Sequence, residues 1–207
     1  MLCDTIVSYN KNKCKTIGEI SAIRKQDRRF VAKGAIMRRK DVIITDSITQ
    51  ALFILLKEKE LSEISVTDLV AKAGVSRSSF YRNFNSFEDV IYSYFMNKTQ
   101  SWWKENEQTF LYGEKEVEMS VFEHLFTMKE EILLVYKKGL YYPFEKHVFD
   151  CVKGGRSLID KEQAYLTARV SGIICGLVNE WIRRGMTDSP AYVAGFLKRR
   201  TGYKAGE

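Results

Sequence analysis

The chain has 207 residues, 33 of them Lys or Arg against 26 Asp or Glu, with two His and a formal net charge of +7. That is room for a small head and a helical body, and only two prolines interrupt it. No apolar run approaches the ~20 residues of a membrane span. The opening MLCDTIVSYNKNKCK also lacks the apolar core of a secretion signal, so a cytoplasmic protein with no membrane partner is expected.

The charge is unevenly placed. The first 40 residues hold 11 basic and 3 acidic side chains, a net of +8, while the rest hold 22 and 23, a net of −1. The overall balance therefore reports the N-terminal arm and lends no independent weight to any motif further on. Residues 1–36 are expected to be a basic extension outside the folded domains, either disordered or upstream of a true start at Met37. The rival reading is a basic arm in which Arg24, Lys25, Arg28, Arg29 and Lys33 meet phosphates or a minor groove.

A first helix is expected from Asp41 to Lys59, with Ile44, Ile48, Ala51, Leu52 and Leu55 on one stripe. The segment SVTDLVAKAGVSRSSFYRNFNSFED, from Ser65 to Asp89, then reads as two short helices around a glycine turn. Ser65 caps the first helix, with Asp68 three positions on, and Val66, Leu69, Val70 and Ala73 face inward. Gly74 supplies the left-handed C-cap, Val75 plugs the turn, and Ser76 caps the second helix.

Phe80 and Phe84, one turn apart, put that second helix's inner face on the core. Arg77, Ser78, Tyr81 and Arg82 are left grouped outside. An arginine fork matches the two acceptors of guanine, a serine hydroxyl can meet base or phosphate, and a tyrosine hydroxyl can fix the phosphate backbone. The competing interpretation is an ordinary helical bundle with a solvated polar face.

Within this run Thr67, Ala71, Gly74, Val75, Ser76, Phe80, Tyr81 and Phe84 match the pattern of TetR-family transcriptional regulators, and residues 38–95 resemble their DNA-binding domain. The resemblance implies an all-α protein, with a three-helix helix-turn-helix domain over residues 37–86 and a helical regulatory and dimerisation domain over 87–207. The DNA-binding set it implies is Thr67, Ser76, Arg77 and Ser78, with Ser79, Tyr81, Arg82 and Asn83. One position departs from the pattern. Phe87 stands where relatives usually carry a phosphate-touching lysine, so Arg77, Arg82 or a neighbouring basic group must take that share, or binding is weaker by one contact.

A longer helix is expected from Ser86 to about Glu105, joining head to body without a flexible linker. Body helices are expected at Glu116–Met128, Glu130–Lys138, Pro143–Lys153, Asp160–Arg184 and Pro190–Arg200. Gly154, Gly155, Gly185 and Pro190 serve as stops and starts. Trp103, Phe122, Phe126, Tyr136, Tyr141 and Phe144 are candidates for a pocket that takes a small apolar or aromatic effector. Core packing is the commoner use of such rings.

From Asp160 to Arg184, Ala164, Ala168, Ser171 or Gly172, and Cys175 form a small-residue stripe. Leu166, Val170, Ile173, Leu177 and Trp181 form a bulky one. The ending ARVSGIICGLVNEWIRRGMTDSPAYVAGFL is similar to the dimerising helices of TetR regulators. It implies a homodimer interface through Ala168, Gly172, Cys175, Asn179 and Phe196, the alternative being packing within one chain.

Cys3, Cys14, Cys151 and Cys175 lie far apart with no paired metal-ligand spacing, and a two-ligand site from His147 and Cys151 is poor. His124 is expected at a surface edge or satisfied in place. No Ser-His-Asp order or phosphate-cradling glycine loop argues for catalysis, and nothing calls for a cofactor. The expectation is a regulator, not an enzyme: a ligand-responsive repressor acting as a homodimer on a pseudo-palindromic double-stranded DNA operator. The runner-up is an architectural or spatial DNA-binding regulator controlled by a protein partner.

Overall fold

The computed structural model describes residues 39–111, 117–153 and 161–198. The expected extension and the Gly154 and Gly155 stop lie outside the described residues. Among those described, every regular element is helical and none is a strand.

Helix α1 (Arg39–Glu58) buries Ile48, Ala51, Leu52, Leu55 and Leu56 along the i, i+3, i+4 stripe that its sequence dictates. A 3-10 turn (Leu61–Glu63) follows, closed by reciprocal bonding between Glu60 and Glu63. Helix α2 (Val66–Ala73) opens on a full capping box. Ser65 Oγ accepts from the Asp68 amide at 3.1 Å, and the Ser65 amide donates to Asp68 Oδ2 at 3.0 Å. Hydrogen bonding by Ser65 holds the Asp68 carboxyl below its usual range.

Gly74 ends α2 at φ 66°, a left-handed backbone open to glycine, and the Val75 amide donates back to the Val70 carbonyl at 3.0 Å. Helix α3 (Arg77–Asn83) is capped by Ser76 and anchored by Phe80, which is fully buried. Burying a ring of this size stabilises the head by about 2 to 3 kcal/mol. Phe80 meets Phe84 and Phe87, with ring centroids 6.1 and 6.4 Å away. Phe87 thus packs on the core at the position where the family pattern has lysine.

Helix α4 (Phe87–Leu111) starts at Ser86, whose Oγ accepts from the Asp89 amide at 3.2 Å. It runs six residues past the expected end near Glu105. Nothing before Gly113 stops a helix, and Asn106 Nδ2 donates to the Trp102 carbonyl within it. The body contains α5 (Val117–Thr127), α6 (Lys129–Lys137), α7 (Tyr141–Lys153), α8 (Lys161–Arg183) and α9 (Pro190–Lys198). Helix α7 lies between α4 and α8, and α9 packs on α5 and α8.

The body core is aromatic. Phe95 meets Phe144 at 4.8 Å, and Phe122 and Phe126 flank Trp181, whose Nε1 donates to the Asp188 carbonyl. Head and body share α4 throughout, and α1 also touches α6. There Lys138 Nζ reaches the Lys59 carbonyl at 2.9 Å and pairs with Glu60. No described helix is long and apolar enough to cross a membrane.

Candidate functional site

On α3 the inward pull of Phe80 fixes which side chains face solvent. Arg77, Ser78, Tyr81 and Arg82 are all exposed, and so is Thr67 at the second position of α2. Tyr81 is 53% exposed, with its ring edge-on to Phe80 at 5.2 Å, so the phenol projects from a packed base. Arg82 lies 3.9 Å from Asp41 Oδ1 but stays largely exposed. A pair so placed contributes about 1 kcal/mol or less and is easily exchanged for another anion.

The other three expected contacts serve the helix itself. Ser76 Oγ accepts from the Ser79 amide at 3.1 Å and lies 2.9 Å from the hydroxyls of Ser78 and Ser79. Asn83 Nδ2 donates to the Ser79 carbonyl at 2.7 Å, which folds its amide along the helix. The exposed face thus carries two guanidiniums, a phenol and hydroxyls, Ser76 among them, with Ser79 and Asn83 half-buried beside it.

In the body, the six rings named for a pocket fall into groups: Tyr136, Tyr141 and Phe144 touch in sequence, Phe122 and Phe126 meet at Trp181, and Trp103 lies against Trp102. Phe122 and Phe144 are fully buried in the core, and Tyr141 is half-buried against Tyr136 and Phe144. Trp103, Phe126 and Tyr136 are partly open to solvent, Phe126 stacking on Trp181. A cleft of about 440 Å³ lies elsewhere, between α4 and α5, and none of the six lines it. Trp102 is its one aromatic wall. The polar stripes that form it recur at helical spacing, a signal present in the sequence but carried by polar residues and not by rings.

Beneath the cleft is a buried bridge. His124 and His147 each place Nε2 3.1 Å from Thr99 Oγ1, joining α5 and α7 to α4 through one hydroxyl. A hydroxyl donates once and accepts elsewhere, so both imidazoles can be satisfied by Thr99. Burial pushes both histidines down to about 4, helped by Lys98 at His124 and by His124 itself at His147. Of the two places expected for His124, it takes the second: it is 7% exposed and satisfied by Thr99, not at a surface edge. Cys151 Sγ sits 3.5 Å from His147 Nδ1, and among the described residues no three metal-ligating side chains gather.

On α8 the expected interface residues Ala168, Gly172 and Asn179 are exposed, as is Phe196 on α9, while Cys175 is half-buried. Ser171, offered by spacing as an equal of Gly172, is fully buried. No family model matches the chain, and no curated protein matches it.

Proposed function

We propose that the protein is a sequence-specific DNA-binding regulator of the TetR type, acting as a homodimeric, ligand-responsive repressor. The observation that carries the reading is the outward face of α3. Arg77, Ser78, Tyr81 and Arg82 stand together on the second of two short helices, set by the Ser65 box and the Gly74 turn. A helix of this width fits the major groove, and arginine with hydroxyl groups is the chemistry that reads guanine and grips phosphate.

In this reading two copies joined through α8 and α9 present their α3 helices about 34 Å apart, one turn of DNA. Movement of α4 alters that separation, because α4 begins beside α3 and continues into the body. The test is selection of bound fragments from a random or genomic DNA pool by the purified full chain. A pseudo-palindromic motif with half-sites one turn apart is expected. Recovery of no enriched sequence at moderate salt sinks the proposal.

A further inference from the structure

The α4–α5 cleft is built from two polar stripes turned toward each other. On α4, Lys98, Ser101, Trp102, Glu105 and Asn106 recur at i, i+3, i+4, i+7 and i+8. On α5, Ser120, Glu123, His124 and Thr127 do the same over two turns. In a closed helix pair these positions carry apolar side chains. Here eight of the nine are polar, and the helices face each other across about 440 Å³, within the range of small-molecule sites.

The floor and the rim differ. Ser120 and His124 are buried, and the Trp102 ring lies stacked on His124 at 4.6 Å. Lys98, Glu105 and Glu123 are exposed at the edge, one carboxylate from each helix against a single ammonium. Burial keeps His124 neutral at ordinary pH, so the floor adds no positive charge. An apolar ring entering here meets mostly polar side chains, whereas an ammonium group adds the second positive charge that two rim carboxylates and one lysine lack.

Resting on the regulator reading above, we propose that this cleft takes a small hydrophilic ligand bearing an ammonium group, held between Glu105 and Glu123, and that the bond from His124 to Thr99 makes α4 and α5 shift together when it is occupied. The site is thus opposite in character to the apolar pocket expected from the aromatic residues. Two sources share the ammonium, an aliphatic diamine and a basic amino acid. The second adds a carboxylate for Lys98 to meet.

The test is calorimetric titration of the full chain with putrescine, L-lysine and indole. At least one amine is expected to bind, with Glu105→Gln and Glu123→Gln each weakening it tenfold or more. Lys98→Gln is expected to weaken L-lysine alone. Binding of indole in place of both amines, binding of neither amine, or amine affinity unchanged in both glutamine variants overturns the site.

For transmission, Thr99→Val is expected to keep amine affinity within threefold while losing amine-driven release of operator DNA, and Thr99→Ser to restore release. Release by Thr99→Val equal to the parent overturns the bridge as the route. Operator selection by the ligand-free chain is scored separately. Its failure sinks the regulator reading while the titrations still decide the cleft.

Discussion

Arg77 occupies the first position of α3 and is exposed, the place from which the proposed regulator would reach a base edge. Arg77→Ala is expected to lower affinity for the selected operator by about 1 to 3 kcal/mol and to relax discrimination at one base pair. Equal losses on operator and scrambled DNA, read by fluorescence anisotropy at fixed salt, would assign it to phosphate. Tyr81→Phe should behave differently. The ring keeps its edge contact with Phe80, and only the hydroxyl is lost. All sequences should then weaken alike, by roughly 0.5 to 1.5 kcal/mol, and a loss confined to one operator position overturns the phosphate assignment. These outward residues were legible because one-turn spacing separates them from Phe80 and Phe84. The bond from Asn83 Nδ2 to the Ser79 carbonyl was not legible, since local geometry that polarity does not encode sets it.

Among the elements, the turn between α2 and α3 depends on one backbone conformation. A Cβ at Gly74 meets nothing within 4 Å, so Gly74→Ala carries only the left-handed backbone cost at φ 66°, about 1 to 2 kcal/mol. Gly74→Asn should cost less, because asparagine tolerates that region. Urea melts that rank alanine at or above asparagine would mean the turn relaxes away from this geometry. Helix order, caps and the α2–α3 turn could be read from serine, aspartate and glycine positions, which act locally. The union of α4, α5 and α7 at Thr99 could not, because Thr99, His124 and His147 meet only after three helices pack. That union has a pH signature. The groups facing it are Lys98 and Tyr92 from α4, with Asp150 and Cys151 from α7. Both histidines stay neutral when folded down to about 4, whereas the unfolded chain takes up their protons near 6.5. Stability is therefore fully present above about pH 6.5 and falls as pH drops toward 4. Denaturation midpoints measured at successive pH values should show this slope between pH 6.5 and 5, above most carboxylate titration. An equal slope in a variant carrying His124→Gln and His147→Gln would rule the bridge out as its source.

For the whole molecule, the question is what covers the outer side of α8. Tyr165, Ala168, Gly172, Gly176 and Asn179 are all exposed and fall three or four residues apart, which places them along one face. Tyr165 is 69% exposed, and on α9 Tyr192 and Phe196 are open as well, their rings 5.3 Å apart. Small residues in the middle of such a face let a second helix approach closely, and rings at its ends supply area to bury. The sequence showed the stripe but left Ser171 and Gly172 as equal candidates. Only the turn of the helix against α7 decides between them, burying Ser171 and leaving Gly172 outside. That exposure sharpens the test of the dimer. A Cβ at Gly172 meets nothing within 4 Å, so Gly172→Trp should fold normally as a single chain while its indole holds a partner's helix away. Sedimentation velocity is expected to give a monomer, with helical content and thermal midpoint close to the parent's. In the proposed regulator, loss of the partner should leave each head to bind a half-site alone, so the variant should lose most of its preference for a paired operator over an isolated half-site. An intact dimer in Gly172→Trp would place the interface on another face of the molecule.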